Sequence, residues 1–305
     1  MTRTIDLEFI TPLFSHGATD APEIRPASIR GQLHAWFRIV GGDIEAERRV
    51  FGGIKHKNAD PKTMPSHMKT TASPVIVRVS GLKARVKKLL TLPHKSGDGY
   101  LRDAFDIGTT CRIIVTDRLD GLRSGDEVLL NRSINAWLLM GTLGFRATRA
   151  AGSFIWTDES FPMPTTPLAY EDACRDLLGE ASAHAKVAVL ERDPPYSSAE
   201  KARRDVSDSL GGPGKEKQTE RDDLQDLNNP LGCINGKNKR GEKLTRKTSP
   251  LKFRILRFGT SYRILAFWDG RTEMTGNTDS DLYGVVDLLA QNKPRIGEQL
   301  KKKFL

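Results

Sequence analysis

The chain has 305 residues, 38% of them hydrophobic, and 48 Lys and Arg against 38 Asp and Glu give it a formal charge of +10. At 33.9 kDa it holds one large domain or two of ordinary size, and its mean hydropathy of -0.44 is that of a chain rich in polar loops. No apolar run of about 18 residues and no leader-like N-terminus are present, so no membrane partner is expected, while the basic balance favours a polyanion, most often nucleic acid.

Thr4 to Ile10 alternates apolar and acidic residues, the pattern of a half-buried strand. A loop bearing Gly17 and Asp20 follows. Pro22 and Pro26 then hold Ile24 and Arg25 extended, because the residue before a proline is pushed out of the helical region. Ser28 is expected to cap a helix running from Ile29 to Val40. Ile29, Leu33, Trp36, Phe37 and Val40 form its apolar face, and Arg30, His34 and Arg38 recur at four along another side. Gly41-Gly42 ends it, and a second short helix, Ile44 to Phe51, stops at Gly52-Gly53. Two readings are open here. Arg25 and Arg30 at a helix start make an anion site, or they are solvated arginines on an amphipathic helix. Trp36 and Phe37 could stack on bases, but their spacing puts them in a core.

Residues 54 to 71 have no periodicity and several Lys and His, which reads as a mobile basic loop. Ser73 to Val79 and Cys111 to Thr116 read as strands, with a short basic stretch from Leu82 to Leu90 between them. Val128 to Leu143 is a second strong helix. It runs into Gly141, Gly144, Arg146, Arg149 and Gly152, followed by a strand at Ser153 to Trp156. Glycines let backbone approach a phosphate and arginines close over it; equally, this is a helix end and a connector.

Thr166 to Leu190 reads as one more helix. Glu191 to Arg246 carries charges of both signs, few apolar residues and several Pro/Gly breakers, and reads as long exposed loops. Strands follow at Leu251 to Leu256 and Ser261 to Trp268, then a helix at Asp279 to Gln291 and a basic end. Cys111, Cys174 and Cys233 have no metal-ligand spacing and read as the reduced thiols of a cytoplasmic protein. One internal echo stands out. Ser73-Pro74 opens a strand that carries Arg78, and Ser249-Pro250 opens one that carries Arg254, which suggests two related α+β halves.

FITPLFSHGATDAPEIRPASIRGQLHAWFRIVGG, then ERRVFGG, then TTASPVIVRV, resembles the RAMP superfamily of CRISPR proteins. More narrowly, it is similar to the first-subunit family of the type III-B Cmr effector. GFRATRAAGSF resembles the superfamily's glycine-rich loop and KTSPLKFRI its later Ser-Pro strand; residues 170 to 246 carry little of the likeness. The resemblance implies two ferredoxin-like, RRM-related βαββαβ folds packed together, divided at about residues 1–160 and 161–305. It implies a place near the 3′ end of a guide RNA, with target RNA and other Cmr subunits, the sixth above all, as partners. It implies RNA contacts at Arg25, Ser28, Arg30, His34, Arg38, Arg146, Arg149 and Gly152, with no cofactor. Such assemblies read sequence by base pairing while the protein holds backbone and shape. Two enzymatic readings stay open: guide processing with His16 as general base, or target cleavage by Asp20. A protein-only capping scaffold is the third alternative.

Overall fold

A computed structural model describes residues 1–19, 21–53, 72–118, 121–179, 184–210, 249–271, 278–292 and 294–305. Asp20, Cys233, the expected basic loop at 54–71 and most of the charged stretch lie outside them. The fold is mixed α+β with antiparallel sheets.

Strand β1 (Thr2–Phe9) buries every second side chain, from Arg3 to Phe9, as its alternation requires. It pairs with β5 (Thr110–Asp117) and β6 (Phe154–Thr157), and β2 (Val75–Lys83) pairs with the far side of β5. The sheet order is therefore β2-β5-β1-β6. A separate hairpin, β3 (Val86–Leu90) and β4 (Leu101–Phe105), stands out from it. Phe105 and Leu13 exchange backbone hydrogen bonds, each 3.0 Å, which ties the hairpin to the loop after β1.

Helices α1 (Pro26–Ile39) and α3 (Ser124–Met140) share one hydrophobic cluster with the inner face of this sheet. Trp36, Phe37, Trp137 and Trp156 are all core residues, as their spacing predicts. The same cluster reaches Leu265 and Phe267 of a second sheet, with Trp36 and Phe267 ring to ring at 5.1 Å. That second sheet has the order β7-β9-β8, from β7 (Ala185–Leu190), β9 (Ser261–Asp269) and β8 (Leu251–Phe258). Its other face packs on α5 (Ala199–Leu210), α6 (Thr278–Asn292) and α7 (Pro294–Phe304). Covered on both faces, its strands read as near-continuous apolar runs rather than alternating ones.

Two expectations are corrected. The helix expected over Thr166 to Leu190 is α4 (Pro167–Leu178), stopped by Gly179 at φ 50°, and then strand β7. Its run AKVAVL, with β-branched Val187 and Val189, lies in the second sheet, where burial on both faces overrides helical spacing. Part of the charged stretch is ordered: α5 buries Ala202, Arg203 and Val206. The basic end is helix α7, with Leu300 and Phe304 buried under it. The Ser-Pro echo holds at its turns, where the Ser73 hydroxyl donates to Val75 O (2.9 Å) and the Ser249 hydroxyl to Leu251 O (2.8 Å). It fails at the arginines, since Arg78 is exposed and Arg254 is fully buried.

Candidate nucleic-acid interface

The loop after β1 connects the two stretches that sequence singled out. Ser15 O accepts from Glu23 N (2.8 Å) just before α1, and Phe14 O accepts from Phe145 N (2.8 Å) in the glycine-bearing loop. The entry to α1 and that loop therefore flank one segment, residues 13–25.

Helix α1 begins earlier than expected. Pro26 sits in its first turn, where a missing N–H costs nothing, and Arg25 is the N-cap. Ser28 is thus inside the helix, and its side chain caps nothing, which corrects the capping role expected of it. Arg25 is half-buried and has no ionic or hydrogen-bonding side-chain partner among the described residues.

Arg30, His34 and Arg38 turn towards α2 (Ile44–Phe51). Arg30 donates to Phe51 O. The His34 Nδ1–H and the Arg38 Nε–H each donate to the Glu47 carboxylate at 2.7 Å, and His34 stacks on Phe51 at 4.1 Å. Burial pushes the Glu47 carboxyl up, but the hydrogen bonds from Arg38 and His34 outweigh it and hold it below its ordinary range. This side of α1 is a seam between two helices. A groove of about 620 Å³ opens beside it, with Arg30 and His34 on one wall and Val75 to Val77 on the other.

The glycines of the second loop serve the chain's own backbone. Gly152 is buried at φ 65°, and a Cβ there would stand 1.9 Å from Leu143 O. Gly144, at φ 84°, presses on Phe14 O, 2.3 Å from an added Cβ. The close approach read from sequence is real, but its object is the segment before α1, so Gly152 offers a ligand no surface. Arg149 donates to Leu210 O (3.2 Å) at the end of α5. Arg146 adopts φ 64°, an uncommon conformation for a side-chain-bearing residue, and its guanidinium has no partner among the described residues.

Seven of the eight expected contacts thus fall into two sets, and Ser28, inside α1, belongs to neither. One is the α1–α2 seam of Arg30, His34 and Arg38. The other is the α1 entry and the glycine-bearing loop, with Arg25, Arg146, Arg149 and Gly152, of which Arg25 and Arg146 have guanidiniums without a partner among the described residues. Sequence reasoning passed over Phe145, which is 41% exposed, and the hairpin residues Lys88 and Arg102 beside it. An aromatic between Gly144 and an arginine, outside any helical or strand period, was the available signal.

His16 is fixed by its Nε2–H, which donates to Asp103 O (2.9 Å). Cys111 and Cys174 are buried free thiols, and burial pushes the Cys111 pKa up to about 12, which makes it unreactive. Among the described residues, no three His, Cys, Asp or Glu gather as metal ligands would, and no helix is long and apolar enough to cross a membrane.

Comparison with known proteins gives this geometry a family. The RAMP superfamily model matches residues 6–155. The CRISPR system Cmr subunit Cmr1-2 of Pyrococcus furiosus is 30% identical over 178 residues, 48% of this chain and 91% of the relative. The crystal structure of apo Cmr1 from the same organism superposes with a TM-score of 0.56 at 18% identity, over 88% of this chain and 87% of that one. A chain of a type III-B Cmr-beta assembly, bound to cognate target RNA and AMPPnP in the presence of ssDNA, gives 0.54 at 10% identity over 99% of both. At such identities the two superpositions show a shared fold, and the sequence match carries the rest. The chain belongs to the RAMP superfamily of CRISPR proteins, alongside the Cmr1 subunits of the type III-B Cmr system.

Proposed function

We propose that the chain is a non-catalytic RNA-holding subunit of a cytoplasmic type III-B effector. In this reading it grips the guide RNA near its 3′ end, supports capture of target RNA, and docks against other Cmr subunits, the sixth in particular. The observation that carries the reading is the convergence of the α1 entry and the glycine-bearing loop on residues 13–25, with Arg25 and Arg146 unpaired among the described residues. Free guanidiniums on fixed backbone suit phosphate oxygens. The excess of ten basic groups and the Cmr-beta relative bound to target RNA point the same way. The non-catalytic part is supported by the lack of a metal-ligand cluster among the described residues; His16, with its Nε2–H committed to Asp103 O, keeps a lone pair on Nδ1, and the product assay below tests it as a base.

The same reading takes both halves as ferredoxin-like. The first runs β1-α1-β2-β5-α3-β6 with the order β2-β5-β1-β6, the neighbour relations of a βαββαβ unit with β3–β4 inserted. The second, β7-α5-β8-β9-α6, repeats those relations with three strands, and a boundary near residue 160 separates the two.

Retention of labelled single-stranded RNA by the purified chain, followed against salt, tests the function. The log–log slope is expected to be about −0.7 per phosphate held. Replacing Arg25 and Arg146 together by Ala should make it shallower by about 1.4 and weaken binding without sequence bias. Unchanged affinity and slope would favour a protein-only scaffold. Shortened RNA product, lost in His16→Ala, would favour a processing nuclease.

A further inference from the structure

We propose that the cavity between Phe145, His16 and the β3–β4 hairpin takes one unstacked base of single-stranded RNA on the ring of Phe145. This rests on the RNA-holding reading and names a part of that surface which no arginine in it explains.

Four observations lead there. The first is that Phe145 is displayed by a backbone under constraint. Gly144 before it and Arg146 after it both have positive φ, and its own N–H is held by Phe14 O at 2.8 Å. A loop that merely connects α3 to β6 has no need of a left-handed arginine, a conformation that side-chain-bearing residues rarely adopt. The result is an apolar ring left 41% exposed.

The second is that the ring is supported from beneath. It stacks on His16 (5.4 Å between centroids, 27° between planes) and leans on buried Phe14 (5.5 Å, 39°). His16 is itself held by Asp103 O and by its bridge to Pro22. A platform already fixed in place loses little entropy when a base lands on it.

The third is that the walls match the rest of a nucleotide. The cavity measures about 920 Å³, with Lys88, Arg102, Asp98 and Asp103 on its hairpin side. Lys88 is exposed and has no partner among the described residues, while Arg102 bonds carbonyls of its own turn. These cations suit the phosphate. Carboxylates accept hydrogen bonds and donate none when ionised, so Asp98 and Asp103 suit a base edge carrying N–H donors and would repel a bare anion.

The fourth is that the open face of the four-stranded sheet, where RRM-type folds stack bases, is not built for it here. Thr4, Asp6, Arg78 and Arg112 occupy that face with half-buried Ile76 and Ile114, its β1, β2 and β5 positions carry no aromatic, and Asp6 pairs with Arg112 at 2.8 Å. The exposed ring stands instead on the loop between α3 and β6, against Phe14 and His16.

The test uses the full-length chain and a single-stranded RNA carrying 2-aminopurine at successive positions, with total retention measured in parallel. The wild type is expected to change the fluorescence at one position or a few. Phe145→Leu, which keeps an apolar cover over Phe14, should lose that signal and weaken binding of a short oligonucleotide about tenfold. Phe145→Tyr should keep both, and a melting curve shows that the variants are folded. Lys88→Ala should lower affinity for all sequences alike and flatten the salt slope. RNA retained with the same fluorescence profile by wild type and Phe145→Leu overturns the base site and leaves the RNA-holding reading standing. Failure of the wild type to retain RNA overturns both. Loss of another Cmr subunit from Phe145→Leu, with RNA contacts unchanged, would assign the ring to a protein partner and also overturn the proposal.

Discussion

Arg254 is fully buried, and among the described residues it has no carboxylate partner. Its guanidinium donates to Gly141 O (2.6 Å) and to Phe154 O, and more weakly to Trp137 O (3.4 Å), and lies over the Phe154 ring at 4.3 Å. Burial pulls its pKa down. Its positive charge sits at the C-terminus of α3, where carbonyls lack helical partners and the dipole is negative. Arg254→Ala should cost about 3–5 kcal/mol, because it strands those carbonyls and opens a cavity. Arg254→Lys should cost less than Arg254→Ala, because it keeps the charge and most of the volume, but not nothing, since one ammonium cannot reach three directions at once. Urea unfolding would show both, and a loss under about 1 kcal/mol for Arg254→Ala would refute the bridging role. Glu47 makes a pH-dependent counterpart. Its folded pKa lies below the ordinary 4.5, so its contribution is present above that value and is lost as the pH falls through the folded pKa. Glu47→Gln should therefore be less stable than wild type by about 1–3 kcal/mol at pH 7, and the gap should close in acid. A gap that stays constant down to the acid limit would show that Glu47 acts by shape alone.

Among the elements, the glycine-bearing loop changes meaning most between sequence and structure. Gly152→Val should fail for a structural reason, losing about 3 kcal/mol or more from backbone strain and a clash with Leu143 O. Gly259, in the turn between β8 and β9, provides the contrast. It also has positive φ, 59°, but a Cβ there meets nothing within 4 Å, so Gly259→Ala should cost only about 1 kcal/mol. Thermal melting of the two variants separates close approach from conformational strain. Equal losses would mean that Gly152 owes its place to φ alone. Helix α1 shows a similar shift: its basic stripe is spent on α2, so Arg30→Ala should lower stability as well as affect any RNA bound beside it.

For the whole molecule, helices α1 and α3 lie between two sheets and serve both. Leu33 and Trp36 share a single cluster with Ile5 and Val115 of the first sheet and with Leu265 and Phe267 of the second. The sheets also meet at Ser153, whose carbonyl accepts from Ile10 N (2.9 Å) while its hydroxyl accepts from Ile255 N (3.0 Å). An interface of this apolar kind should make the described body unfold in one transition. Far-UV dichroism and the fluorescence of Trp36, Trp137, Trp156 and Trp268 should then give the same midpoint in urea. Two separated midpoints would mean that the halves are independent. A fragment ending near residue 160 would expose Trp36 where Phe267 now covers it, and is expected to aggregate.

By itself the sequence determined what depends on neighbours along the chain. The alternation of β1 was legible, as was α2 from Ile44 to Phe51, because the side chains that bury these elements repeat at their own period. The burial of Trp36, Phe37 and Trp137 followed from spacing alone. The family was legible too, through the residues from Phe9 to Gly53 and the two Ser-Pro turns. What tertiary structure decided is what depends on distant partners. Strand β7 carries no strand signal of its own, because burial on both faces removes the alternation that marks a strand. No local pattern announces that Arg38 meets Glu47 or that Gly152 faces Leu143 O. Nor does one show that Phe145 comes to rest on His16, 129 residues earlier in the chain. A charge or a glycine has the same local signature whether it faces a phosphate or its own fold, and the packing around it settles which.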